Sequence, residues 1–250
     1  MPFTKNNSRS RRVGKKSLPI VRAASRKQPE LTSVHALPTK HLAFVPLLCL
    51  VFIIWCVYRY LFRFPVWFDE TVGKAIFFGL PVVLYVSLTR GKSIAKTVSL
   101  ESMQPGLLMG LAVGGIFGFA GTLVALLQKG VVVQSAPLFT SNMFWWEFFL
   151  AIATSFWESL FFYGWIMTVV GEKMKKWPVV NQALLVAVIF LCFHLPNTLL
   201  RFELKVVVGQ LVLLFFFGLG QAFLFYRTKN VYALTLSQAI WGMVLLIHTR

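Results

Sequence analysis

The chain has 250 residues, is 57% hydrophobic and carries a formal net charge of +17, with a mean hydropathy of +0.72. Its apolar residues gather into continuous runs of about 20, which excludes an ordinary soluble domain and argues for helices that cross a membrane. Strands of a barrel would be shorter and would alternate with polar residues, so the expected fold class is all-α, a polytopic membrane bundle.

The first 41 residues account for much of the charge. Lys5, Arg9, Arg11, Arg12, Lys15, Lys16, Arg22, Arg26, Lys27 and Lys40 face one acidic residue, Glu30. With Pro, Ser and Thr scattered through it and no apolar periodicity, this segment reads as a disordered cytoplasmic tail ahead of a transmembrane domain over residues 42–250. Charge confined to a tail beside apolar spans points to anionic lipid head groups and to a topological role, with nucleic acid not expected as a partner. An organelle transit peptide is the alternative for an Arg- and Ser-containing, acid-poor segment. A secretory signal is not expected, because no short apolar core with a cleavage site follows directly.

Seven spans follow in order, at about residues 41–62, 70–89, 106–128, 143–170, 178–199, 204–226 and 231–248. The loops after the second, fourth and sixth spans hold Arg90, Lys92 and Lys96, then Lys173, Lys175 and Lys176, then Arg227 and Lys229. The opposite loops are mixed or poor in cations. The positive-inside rule therefore places the N-terminus in the cytoplasm and Arg250 outside. The size and this pattern suggest a prokaryotic plasma membrane, with an organelle membrane as the alternative.

In the third span Gly106, Gly110, Gly114 and Gly118 recur every four residues. This makes a smooth face for close helix packing within the bundle or, alternatively, for self-association. Trp67, Trp145 and Trp146 stand near span ends, where amphipathic rings favour the interface. Cys49, Cys56 and Cys192 have no metal-type spacing and read as small packing residues.

The fourth span is exceptional because it contains Glu158, within W-E-S-L-F-F-Y-G over residues 157–164. A carboxylate at mid-membrane costs roughly 2.5–3.5 kcal/mol on insertion scales, so an intramembrane acid marks a functional site by default. At 1.5 Å per residue, Glu158 lies about 18 Å from the cytoplasmic end of its span, His194 about 24 Å and Gln238 about 12 Å. Three segments distant in sequence thus bring polar groups to a similar depth.

These stretches resemble the CPBP intramembrane proteases, which include the type II CAAX prenyl endopeptidases and bacteriocin-processing, Abi-like proteins. The first family motif, E-E-x-x-x-R, corresponds to Glu158 and the five residues after it. The second, F-x-x-x-H, is matched in full by Phe190-L-C-F-His194. The third, H-x-x-x-N, falls on Gln238-A-I-W-Gly242. The phenylalanine- and glycine-bearing stretch 215–230 also resembles the family, so the family-like core extends over about 143–248. The resemblance implies an endopeptidase in which Glu158 activates water and His194 holds that water with it. An isolated Glu158 in lipid would keep its proton and be a poor base; an imidazole within reach can share the proton.

The departures bear on activity. Ser159 and Tyr163 stand where the family has Glu and Arg, a double change that removes both charges from one helix face together. Gln238 and Gly242 replace the residues that the resemblance makes oxyanion donors. Gln238 still carries an amide N–H, and Asn197, one turn beyond His194, is a substitute donor on spacing alone. One histidine and one carboxylate fall short of the three ligands that zinc catalysis needs, so no metal and no other cofactor are expected. The main reading is an intramembrane endopeptidase acting on a membrane-embedded or prenylated peptide. The alternatives are a catalytically inactive scaffold or partner protein, and a small transporter in which Glu158 and His194 relay protons. No inverted repeat supports the last.

Overall fold

The computed structural model describes residues 42–129, 143–201 and 203–249. The disordered tail and head-group contacts expected over residues 1–41 lie outside them. Within the compact unit Thr39–Arg250 the described residues form helices and turns. The principal helices are α1 Phe44–Leu61, α2 Val66–Thr89, α3 Met103–Lys129, α4 Phe144–Lys173, α5 Val179–Arg201, α6 Leu204–Thr228 and α7 Val231–Thr249. Six contain windows long and apolar enough to cross a membrane, and α7 contributes a shorter apolar stretch, Val231–Val244. The protein is an all-α integral membrane protein of about seven spans. Outward-facing Leu50, Ile53, Val83, Leu108, Phe119 and Val208 are each 53% exposed or more; such apolar faces suit lipid.

Helix ends follow local chemistry. Helix α1 stops ahead of Pro65, which has no N–H to continue it and instead opens α2. Arg90 ends α2 and Lys229 ends α6, both with positive φ. Each thereby puts a cation at the negative end of a helix dipole.

Helix α4 is the centre of the bundle. Two thirds of its apolar window (67%) is buried, against 22% in α1. Phe161, Phe162, Tyr163, Trp165 and Ile166 are completely buried. Rings from three other helices close around them: Phe78 of α2 lies 4.9 Å from Phe161, and Phe190 of α5 lies 5.0 Å from Phe162. Phe44 of α1 lies 5.5 Å from Trp165, and Trp55 of α1 donates its indole N–H to the Phe193 carbonyl of α5 at 2.9 Å. The helix is not regular. From Ser159 to Met167 it widens into a π-helix, and α2 does the same at Asp69–Gly73 and Ala75–Gly79, on either side of Lys74. Such widened turns frequently occur at functional sites.

The glycine face of α3 is taken up by α7. A Cβ on Gly106 would strike the Asn230 side chain, one on Gly110 the Ala233 carbonyl, and one on Gly114 would come within 2.9 Å of Ser237 Cα. The face therefore serves packing inside the bundle, which leaves it closed to self-association. The cysteines differ from expectation. Cys49 and Cys192 are exposed on their helices and Cys56 is half-buried, so the first two meet the surroundings of the bundle and do not fill its core.

Candidate functional site

Glu158 sits at the end of the first regular stretch of α4, where the π segment begins, and is 5% exposed. His194 reaches it from α5. The imidazole packs on Phe190, one turn earlier, with ring centroids 4.0 Å apart. Gly218 of α6 admits that phenylalanine, since a Cβ there would stand 2.9 Å from its ring. His194 Nδ1 lies 2.8 Å from the Phe190 carbonyl oxygen. A carbonyl only accepts, so Nδ1 carries the hydrogen, and in the neutral ring Nε2 is a bare acceptor. That Nε2 lies 3.8 Å from Glu158 Oε2, too far for a hydrogen bond between them. Two acceptors so placed are met by one molecule that donates twice, and water is such a molecule.

A group that the sequence reading passed over completes the site. Lys74 Nζ lies 2.6 Å from Glu158 Oε1 and 2.6 Å from Glu70 Oε2. Glu70 in turn accepts from the Thr154 hydroxyl of α4 at 2.6 Å. The lysine side chain is 8% exposed and that of Glu158 6%. Glu158 is thus no isolated carboxylate in lipid: an ammonium as well as an imidazole stands beside it. With His194 neutral, the cluster has two carboxylates and one ammonium. A signal did exist: Lys74 falls inside the second apolar run, and the rule that flagged Glu158 applies equally to a lysine there.

Gln238 of α7 donates its amide to Glu158 Oε2, while Ser159 donates to Gln238 Oε1 at 3.4 Å. Ser159 thereby orients the amide, and one of the two N–H groups expected to serve an oxyanion is already engaged by the carboxylate. Tyr163 points elsewhere: its hydroxyl donates to the Gly218 carbonyl at 3.1 Å. Ser159 and Tyr163 therefore do not act as one pair along a helix face. The π geometry turns the first toward α7 and the second toward α6. Asn197 has a buried Oδ1 that no group among the described residues engages, and Pro196 beside it removes one helix hydrogen bond from this turn of α5. Gly242 lies one turn beyond Gln238, and a Cβ there would meet nothing within 4 Å among the described residues.

Among the described residues, no group of three or more His, Cys, Asp or Glu side chains converges as a metal site would require. The place between Glu70 and Glu158 where a cation would sit is filled by the Lys74 ammonium. The donor set does not fit a zinc ion.

Residues 140–244 match the family model of the Rce1-like type II CAAX prenyl endopeptidases. Neither a curated protein nor a solved structure matches the chain. The matched segment takes in Glu158, His194 and Gln238 and leaves out α2, with Glu70 and Lys74.

Proposed function

Because the chain belongs, through residues 140–244, to the Rce1-like family of CPBP intramembrane proteases, we propose that it is an endopeptidase that cuts a membrane-embedded or prenylated peptide with water activated by Glu158 and His194. The observation that carries this reading is the 3.8 Å spacing between Glu158 Oε2 and a His194 Nε2 whose ring is fixed by Phe190. A water donating to both acceptors keeps its own lone pairs free. Glu158 takes one of its protons as the oxygen bonds to the scissile carbonyl carbon, and the C–O double bond opens to an oxyanion. When that oxyanion collapses, the C–N bond breaks and the proton passes to the leaving nitrogen. The second N–H of Gln238 is the side-chain donor nearest in kind to what the oxyanion needs. Proton uptake brings a cluster of two carboxylates and one ammonium to neutrality, which a low-dielectric site favours. The N-terminus is cytoplasmic in this reading, following the basic loops after α2, α4 and α6 in a prokaryotic plasma membrane.

An inactive scaffold is the second reading. It is favoured by one feature: both Glu158 oxygens are already engaged, one by Lys74 and one by Gln238. A purified preparation challenged with quenched prenyl-peptides and transmembrane peptides separates the two. Cleavage that disappears in folded His194→Ala and Glu158→Ala proteins supports the protease. Cleavage that survives Glu158→Ala sinks the mechanism, and a folded wild-type protein inert on the whole panel favours the scaffold. Proton-coupled uptake into proteoliposomes would instead return the transporter reading.

A further inference from the structure

Glu70 and Lys74 lie outside the matched segment, and the proposed reaction does not consume them. We infer that they are positioning residues for Glu158: Lys74 keeps its carboxylate ionised and turned toward His194, and Glu70 holds Lys74 in place. The inference builds on the reading of Glu158 as the base. By pinning Oε1 at 2.6 Å, Lys74 leaves Oε2 as the oxygen that faces His194. A buried ammonium with three N–H groups also needs more than one acceptor, and Glu70 supplies the second at 2.6 Å.

The spacing is informative. On α4 the motif this chain resembles has an acid and a base four residues apart, and here Ser159 and Tyr163 are neutral. On α2, Glu70 and Lys74 are again an acid followed four residues later by a base. They stand against the same Glu158. The charges absent from one helix are supplied by its neighbour. Two further contacts hold α2 to α4 at this level. Thr154, one turn before Glu158, donates to Glu70. Gly79 has no side chain to keep Trp157 away, since a Cβ there would come within 2.7 Å of that ring.

The test uses the full chain in lipid nanodiscs, as wild type, Lys74→Met, Lys74→Arg and Glu70→Gln. Cleavage kinetics are paired with infrared spectra of 13C-glutamate-labelled protein, using Glu158→Gln to identify the Glu158 bands. Lys74→Met should lower kcat by about 10²-fold or more, the range attributable to a general base, with KM held within about threefold. Its Glu158 carboxylate band should give way to that of a protonated acid. Lys74→Arg should keep the carboxylate band and remain within about tenfold of wild-type kcat, and Glu70→Gln should fall between the two. A folded Lys74→Met protein with wild-type kcat and an unchanged carboxylate band overturns the inference. If Lys74→Met does not fold, Lys74→Arg and Glu70→Gln decide: a lost carboxylate band in a folded Lys74→Arg protein, or wild-type kcat and spectrum in Glu70→Gln, also overturns it. A wild-type protein that cleaves nothing removes the proposed function but leaves the infrared comparison able to support or refute the positioning role.

Discussion

Helices α4 and α2 both carry charge into the bundle, but in different company. Helix α4 brings Glu158 into the most buried part of the molecule, where its neighbours along the helix are fully buried aromatic rings. Helix α2 brings Glu70 and Lys74 on a more exposed helix, near its start. The acid of α4 has no countercharge on its own helix and takes one from α2, whereas the lysine of α2 has one acid on each helix. The difference separates chemistry from support. Glu158 is the group with a second carboxylate oxygen turned to a histidine, and the α2 pair is what makes an ionised carboxylate tolerable at that depth.

The largest effect should come from removing the charge of α4. Glu158→Ala leaves Lys74 beside a cavity with only Glu70 as partner, and loss of one member of a buried pair costs about 3–5 kcal/mol. Thermal unfolding in detergent should show it, and cleavage should vanish. Next is the packing that closes the bundle: Gly110→Val forces a side chain into the Ala233 backbone and should destabilise by about 1–3 kcal/mol or more in the same assay. A smaller and opposite change is expected from completing the third motif. Because no described residue comes within 4 Å of a Cβ at Gly242, the double substitution Gln238→His with Gly242→Asn should fold and raise kcat by about 10-fold or more, as one added oxyanion donor would. The smallest effect belongs to Ser159→Ala, which removes a 3.4 Å hydrogen bond. It should lower stability by about 0.5–1.5 kcal/mol and slow cleavage several-fold.

Much of the architecture was legible because it is written in one dimension. Long apolar runs marked each span, and the four-residue glycine period of α3 marked the face that α7 covers. Depth counting also brought Glu158, His194 and Gln238 to one level, and the structure places their side chains around one carboxylate. What escaped was lateral. The second span was expected to begin at Glu70, but α2 begins one turn earlier, at Val66. Glu70 consequently looked like a loop charge at a span edge, and Lys74, inside the span, was passed over. The widened turns at Ser159–Met167 left no trace in an apolar run. They redirected Tyr163 to Gly218 when a regular helix would keep it in line with Ser159. Cys49 and Cys192 show the same limit: composition labels them apolar, but not which side of the helix they occupy.

The most direct test of the central claim is single-turnover cleavage of a prenylated peptide by wild type and Glu158→Gln in matched nanodiscs, with unfolding temperatures measured on the same samples. Wild type should cleave, and a folded Glu158→Gln protein should be slower by about 10²–10⁴-fold, the contribution of a general base. Equal rates in the two proteins would rule out Glu158 as the base.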